Sequence, residues 1–140
     1  MAEACMIVIF GATGNLAGTK LLPALYHLEQ AKRLHPDTAI LGFGRRSWDD
    51  AEWRRRVLEA LEPQVRGAVD PEVAERLGRR LRFVRGDLED AEGFVRLTEK
   101  LEAEPGPPQN HIFYLAIGPD HYGQVAKQLA AQGLNREDHG

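Results

Sequence analysis

Short runs of strand-forming residues alternate with longer helical patterns along this chain, which predicts an α/β fold. The predicted architecture is a doubly wound, mainly parallel sheet with helices on both faces, three layers in all. Three observations carry that reading. The run Met6 to Phe10 is continuously apolar, as in strands buried on both faces. A glycine turn follows it at once, Gly11-Ala12-Thr13-Gly14-Asn15-Leu16-Ala17. The alternation then repeats to the end of a chain of 140 residues, a length that allows one domain over 1–140 with one core.

After the turn, Leu21, Leu25 and Leu28 recur at i, i+4 and i+7, the inner face of a first helix. Pro23 lies inside this pattern, so the helix begins near it or bends there. The second strand is Ala39 to Phe43. Ser47 is the expected N-cap of the next helix, with Asp50 completing an approximate capping box and Trp53, Val57 and Leu61 facing inward. Asp70-Pro71 opens a short helix to about Arg80, aspartate as cap and proline in the first turn. The third strand is Leu81 to Val84, followed by a helix that turns Phe94, Leu97 and Leu101 inward. Pro105-Gly106-Pro107-Pro108 is a loop. The fourth strand is His111 to Ile117, and a last helix carries Tyr122, Val125 and Leu129 inward and stops at Gly133. Right-handed crossovers between these strands give the order 3-2-1-4, with a ligand crevice between strands one and four.

The glycine turn is where chemistry enters. A diphosphate needs backbone N–H donors, a helix N-terminus and no bulky side chain in the way. Gly11 permits the tight turn out of the strand, Gly14 the close approach of phosphate, and Ala17 the packing of helix on strand. The pattern Gly-x-x-Gly-x-x-Ala is a variant of the dinucleotide fingerprint of Rossmann-type domains, and Thr13 and Asn15 add side-chain hydrogen bonds. A P-loop is a poor reading, since Gly18-Thr19-Lys20 has the wrong order for its Gly-Lys-Ser/Thr end.

The end of the second strand selects the coenzyme. NAD sites place a carboxylate there for the ribose 2′-hydroxyl. This chain has Gly42-Phe43-Gly44-Arg45-Arg46-Ser47 and no acid before Asp49. Arg45 or Arg46 can pair with a 2′-phosphate, so NADP is preferred; the competing reading is two solvated arginines. Asp87 reaches an adenine edge or caps a helix. Phe113-Tyr114-Leu115-Ala116 leads into Ile117-Gly118-Pro119, a flat wall for the nicotinamide ribose, although Tyr114 is better read as strand core. Of the five histidines only His121 lies near the crevice, and a solvated helix-start histidine is the preferred reading for it.

Other classes are disfavoured. The formal net charge of −3 argues against a general nucleic-acid binder. No apolar run approaches the ~20 residues of a membrane helix, and Met1 to Cys5 lacks the basic region of a signal peptide, which fits a cytoplasmic protein. Cys5 is the single cysteine, read as an inert thiol at a strand start, and no histidine–carboxylate cluster has metal spacing. The Tyr-x-x-x-Lys pair of short-chain reductases is absent, since Ala126 stands four residues after Tyr122; this weighs against a sugar-nucleotide reductase. The arginines at 54–56 and 79–85 alternate with acids and are expected on solvated helix faces.

Taken in order, Ile9 to Ala17, Lys20-Leu21-Leu22-Pro23-Ala24-Leu25-Tyr26, Gly42-Phe43-Gly44-Arg45, Phe113-Tyr114-Leu115-Ala116 and Tyr122 resemble the N-terminal coenzyme domain of glucose-6-phosphate dehydrogenases. The resemblance implies NADP-linked oxidation of glucose 6-phosphate at C1 to 6-phosphogluconolactone, the first step of the pentose phosphate pathway. It implies that Gly11, Gly14 and Leu16 line the coenzyme loop, that Arg45 holds the 2′-phosphate, and that Lys20 lies near the active site. The family usually has aspartate at Asn15, a basic residue at Gly18 and proline at Gly118. Its substrate site and catalytic histidine lie in segments beyond those matched here, and His139, near the end of the sequence, is not a substitute. The expected role is therefore the coenzyme-binding portion of such an enzyme, without catalytic residues and inactive alone, meeting glucose 6-phosphate only in a complete enzyme. The alternative is a stand-alone NADP(H) sensor, or a subunit completed by a partner chain. An exposed sheet edge would favour association.

Overall fold

The computed structural model describes residues 4–14, 17–65, 69–103 and 111–133. Asn15, Leu16, the loop Pro105 to Pro108 and His139 lie outside the described residues. The strands are β1 (Met6–Phe10), β2 (Ala39–Gly44), β3 (Leu81–Arg85) and β4 (His111–Leu115). They form one parallel sheet in the order β3-β2-β1-β4, as the crossover rule requires. The helices are α1 (Leu22–Gln30), α2 (Asp50–Leu61), α3 (Pro71–Arg79), α4 (Ala91–Ala103) and α5 (Tyr122–Ala131).

Period-two alternation along the strands divides the core between the two faces of the sheet. Ile9, Ile40 and Phe83 pack with Leu25, Tyr26, Trp53, Val57, Leu61 and Leu77 under α1, α2 and α3. Met6, Val8, Phe10, Leu41 and Phe43 pack with Phe94, Leu97, Val125 and Leu129 under α4 and α5. β1 and β2 are covered on both sides, which explains their unbroken apolar sequence.

Several expectations are corrected. The buried stripe of α1 keeps Leu25 as expected but continues through Leu22, Tyr26 and Glu29 in place of Leu21, which is only partly buried, and Leu28, which is 38% exposed. A π turn over Ala17–Leu21 precedes α1 and shifts the helical phase, and Pro23 stands in the first turn, where no N–H is needed. Tyr122 is 42% exposed because the 3₁₀ turn Pro119–His121 sets the phase of α5, leaving Val125 and Leu129 to face the core. Tyr114 is 38% exposed rather than core, since the α1 side of β4 carries no covering helix among the described residues. Ile112, on the same face, is 51% exposed.

The cap of α2 is Asp49, not Ser47: its side chain accepts from the Glu52 N–H at 2.8 Å. Asp50 is drawn into tertiary work instead. It accepts from the backbone N–H of Phe83 at 2.7 Å and from Lys100 Nζ at 3.3 Å. It thereby satisfies a donor on the outer edge of β3 and ties α2 to α4 around that edge. We expect Asp50→Ala to lower unfolding free energy by about 1–3 kcal/mol, the cost of an orphaned backbone donor. Asp49→Ala should cost about 1 kcal/mol as a lost cap. Urea midpoints of the two variants decide the order.

The arginines divide. Arg55 binds Glu52 at 2.9 Å and Glu59 at 2.9 Å on the exposed face of α2, and hydrogen bonding by its guanidinium holds the Glu52 carboxyl below the usual range. Arg80, expected on a solvated face, is instead only 11% exposed and reaches the buried Glu29 at 2.6 Å.

Candidate functional site

β1 ends at the C-terminal side of the sheet, where the winding direction changes between β1 and β4. Gly11 takes the chain out of the strand with φ +80°. Its N–H and that of Ala12 both donate to the carbonyl of Phe43, at 3.1 and 3.3 Å, which ties the turn to the end of β2. A Cβ at Gly11 would lie 2.3 Å from the carbonyl oxygen of Ala116, so the turn also abuts the end of β4. The N–H of Gly14 closes back onto the Gly11 carbonyl at 2.9 Å, and the N–H of Gly18 onto that of Gly14 at 3.2 Å. Ala17 is fully buried, as its packing role demands.

A cavity of about 400 Å³ opens over this turn. Its floor is Gly11, Thr13 and Gly14. Arg45 borders it on the β2 side, Asp87 on the β3 side, and Ile117, His121 and Gln124 on the β4 side. It thus brings together the turn, Arg45 and Asp87, which lie far apart in sequence. Thr13 lies over Gly44, with its Oγ1 3.4 Å from where a Cβ there would sit, which puts a hydroxyl beside the β2 terminus.

Arg45 is exposed and has no ion pair or hydrogen bond among the described residues. Arg46 does not border the cavity. Its guanidinium stands 5.9 Å from the ring of Trp48, which Arg56 also approaches at 4.9 Å. The two adjacent arginines therefore have different surroundings. Asp87 does not cap α4: its Oδ1 accepts from the Glu89 N–H at 3.0 Å, and Asp90 accepts from Glu92 at the helix start. Its carboxylate remains at the rim of the cavity.

The structure puts Ala116 in the core, 8% exposed, with its N–H donating to the Phe10 carbonyl at 2.9 Å. Ile117, the next residue, is the one that borders the cavity. Lys20 is exposed on the π turn and does not border it. Gln124 was not singled out by sequence. The available signal was its position three residues after His121 on the first turn of a helix following β4. Gly86 was also passed over: a Cβ there would lie 2.4 Å from the ring of Phe43, so it lets β3 and α4 close under the groove.

Comparison with known proteins decides the family. The family model described as glucose-6-phosphate dehydrogenase, NAD binding domain, matches residues 8–140. The chain belongs to this family. Glucose-6-phosphate 1-dehydrogenase of Dickeya dadantii is 43% identical over 136 residues, covering 97% of this chain and 27% of that enzyme. Glucose-6-phosphate 1-dehydrogenase 2 of Mycobacterium tuberculosis strain H37Rv is 39% identical over 139 residues, again 97% of this chain and 27% of the relative. The chain therefore spans about a quarter of the length of these glucose-6-phosphate dehydrogenases. The crystal structure of the Mycobacterium avium enzyme superposes with a TM-score of 0.82 at 28% identity, covering 96% of this chain and 28% of that one. A glucose-6-phosphate dehydrogenase in complex with glucose 6-phosphate superposes at 0.78 and 30% identity, covering 98% of this chain and 30% of that one. Among the described residues no helix is long and apolar enough to cross a membrane.

Proposed function

We propose that this chain binds NADP in the groove above Gly11 and serves as the coenzyme-holding part of a glucose-6-phosphate dehydrogenase. The observation that carries the preference for NADP is Arg45. It borders the cavity at the end of β2, and its guanidinium has no partner among the described residues. No acid stands between the end of β2 and Asp49 to favour a free 2′-hydroxyl. A planar guanidinium on a groove that Thr13 also lines suits a 2′-phosphate.

In this reading Gly11, Thr13, Gly14, Asn15 and Leu16 receive the diphosphate, and Asp87 takes the adenine edge. Ala116 lies beneath the turn and sets its place against the end of β4. Arg46, held over Trp48, keeps a second positive charge near the 2′-phosphate without touching it. Lys20 belongs to the sugar side of the complete enzyme. When bound, the coenzyme would supply the hydride acceptor for oxidation of glucose 6-phosphate at C1 in the complete enzyme. This chain's part is to hold and orient the coenzyme; the base for the sugar hydroxyl belongs to the rest of such an enzyme.

Calorimetric titration tests this. The chain should bind NADP⁺ more tightly than NAD⁺ and form no lactone alone. Arg45→Ala should weaken NADP⁺ binding about 10- to 150-fold, the value of hydrogen bonds to a charged group, and leave NAD⁺ affinity unchanged. Arg46→Ala should change NADP⁺ affinity much less. Equal affinity for the two coenzymes in the wild-type chain would remove the arginines from this role.

A further inference from the structure

The coenzyme groove lies where the strands end. A second cavity, of about 370 Å³, lies where β2 and β3 begin, beside α3. Ala39 lines it and Arg45 borders the groove, so about 20 Å of strand separates the two. Among the described residues four arginines line this cavity: Arg76 and Arg79 in the last turn of α3, Arg80 just after it, and Arg82 in β3. Glu29 and Asp37 are the acids among the described residues that line it. The chain as a whole carries a net charge of −3, so the cationic excess is local.

The arginines have different duties. Arg80 is committed to the fold: it is 11% exposed and gives its guanidinium to the buried Glu29 and to the carbonyls of His35 and Thr38. It answers the buried acid and makes a rigid wall. Arg82 donates from Nη1 to the carbonyls of Arg79 and Leu81 at 2.7 and 3.0 Å, which fixes its guanidinium at the cavity. Arg76 and Arg79 meet Glu72 at 3.4 Å and Glu75 at 2.6 Å along α3. Exposed i, i+4 pairs of this kind are weak, and a multiply charged ligand can replace them. We propose that this cavity is a binding site for a small polyanion of the bisphosphate or polyphosphate class. Planar guanidinium forks match phosphate oxygens, and several converging on one hollow favour more than one negative charge. Among the described residues that line it none is aromatic, so charge is recognised and not a nucleobase. The volume is that of a small-molecule site. Asp37 stands at the cavity with its side chain 76% exposed, where it repels a long anionic chain.

The test is calorimetric titration of the chain with tripolyphosphate and with inorganic phosphate at low salt, in the presence and absence of NADP⁺. Circular dichroism melting controls for folding. Tripolyphosphate should bind saturably and more tightly than phosphate, at a site that persists with NADP⁺ present and in Arg45→Ala. Arg82→Ala should weaken it about tenfold or more, the value of hydrogen bonds to a charged group, and Arg79→Ala about three- to tenfold. Asp37→Asn should tighten it about two- to fivefold, a gain that misfolding cannot imitate. The inference is overturned if no saturable binding is seen, or if Arg79→Ala and Arg82→Ala bind like the wild type. It is equally overturned if NADP⁺ or Arg45→Ala abolishes the binding, which would place the anion in the coenzyme groove. A single-stranded oligonucleotide that binds more tightly than tripolyphosphate through the same arginines would make this a nucleic-acid face and overturn it too. None of these outcomes touches the coenzyme reading, which NADP⁺ titration tests separately.

Discussion

Gly11→Ala should destabilise the chain by about 2–5 kcal/mol and abolish coenzyme binding. Two costs add. At φ +80° an L-residue pays about 1–2 kcal/mol for the left-handed backbone. Its Cβ would also lie 2.3 Å from the Ala116 carbonyl oxygen and 2.9 Å from Ile117 Cγ2, an overpacking of backbone that costs about 1–3 kcal/mol more. The neighbour cannot swing aside, because the Ala116 N–H is held by the Phe10 carbonyl at 2.9 Å. Either the end of β4 shifts or the turn does, and the turn and Ile117 line the groove. Against a typical domain stability of about 5–15 kcal/mol this is a large fraction. Urea denaturation gives the stability, and titration with NADP⁺ gives the binding. A variant with wild-type midpoint and affinity would show that the turn tolerates a side chain. Gly18→Ala is the control, since a Cβ there meets nothing within 4 Å.

Arg80→Leu is the second large effect expected, at about 3–5 kcal/mol. Glu29 is 3% exposed on the inner side of α1. Arg80 Nε holds its carboxylate at 2.6 Å, and the same guanidinium donates to the carbonyls of His35 and Thr38 at 2.7 and 2.6 Å. One side chain therefore ties α1, the segment before β2 and the start of β3. Removing it leaves a buried carboxylate whose next cation, Arg76 Nε, stands 3.9 Å away. A buried charge left without its main partner is what makes breaking such a pair costly, whereas replacing both partners with apolar residues is often nearly neutral. The double variant Glu29→Leu with Arg80→Leu should therefore recover much of the loss, short of the two stranded carbonyls. A double-mutant cycle on urea midpoints measures the coupling, and simple additivity of the single changes would refute it.

The parts of this molecule that were legible from sequence share a physical origin. β1 and β2 are apolar at every position because both faces are covered, and right-handed crossovers leave few ways to order four such strands. Trp53, Val57 and Leu61, or Phe94, Leu97 and Leu101, repeat with the helix and are buried with it. Where the backbone departs from that repeat, counting residues misleads. The π turn before α1 moved the buried stripe from Leu21 and Leu28 to Leu22, Tyr26 and Glu29. The 3₁₀ turn before α5 turned Tyr122 outward in the same way.

The site shows the same division. The glycine turn after β1 and the basic end of β2 are local sequence patterns, and Gly11, Gly14 and Arg45 all line the groove. That much, with the family resemblance, the chain's own order of residues determined. Other roles depended on partners distant in sequence. Asp50 left the capping box for an N–H on β3, and Arg80 left the surface for a buried glutamate. Arg46 turned to Trp48 while Arg45 stayed at the groove, and His121 and Gln124 met the groove only because α5 packs beside β1 through β4. Periodicity and turn chemistry act within a few residues and can be read along the chain. Which polar side chain finds a distant donor, acceptor or ring is decided by packing, and so only by the tertiary structure.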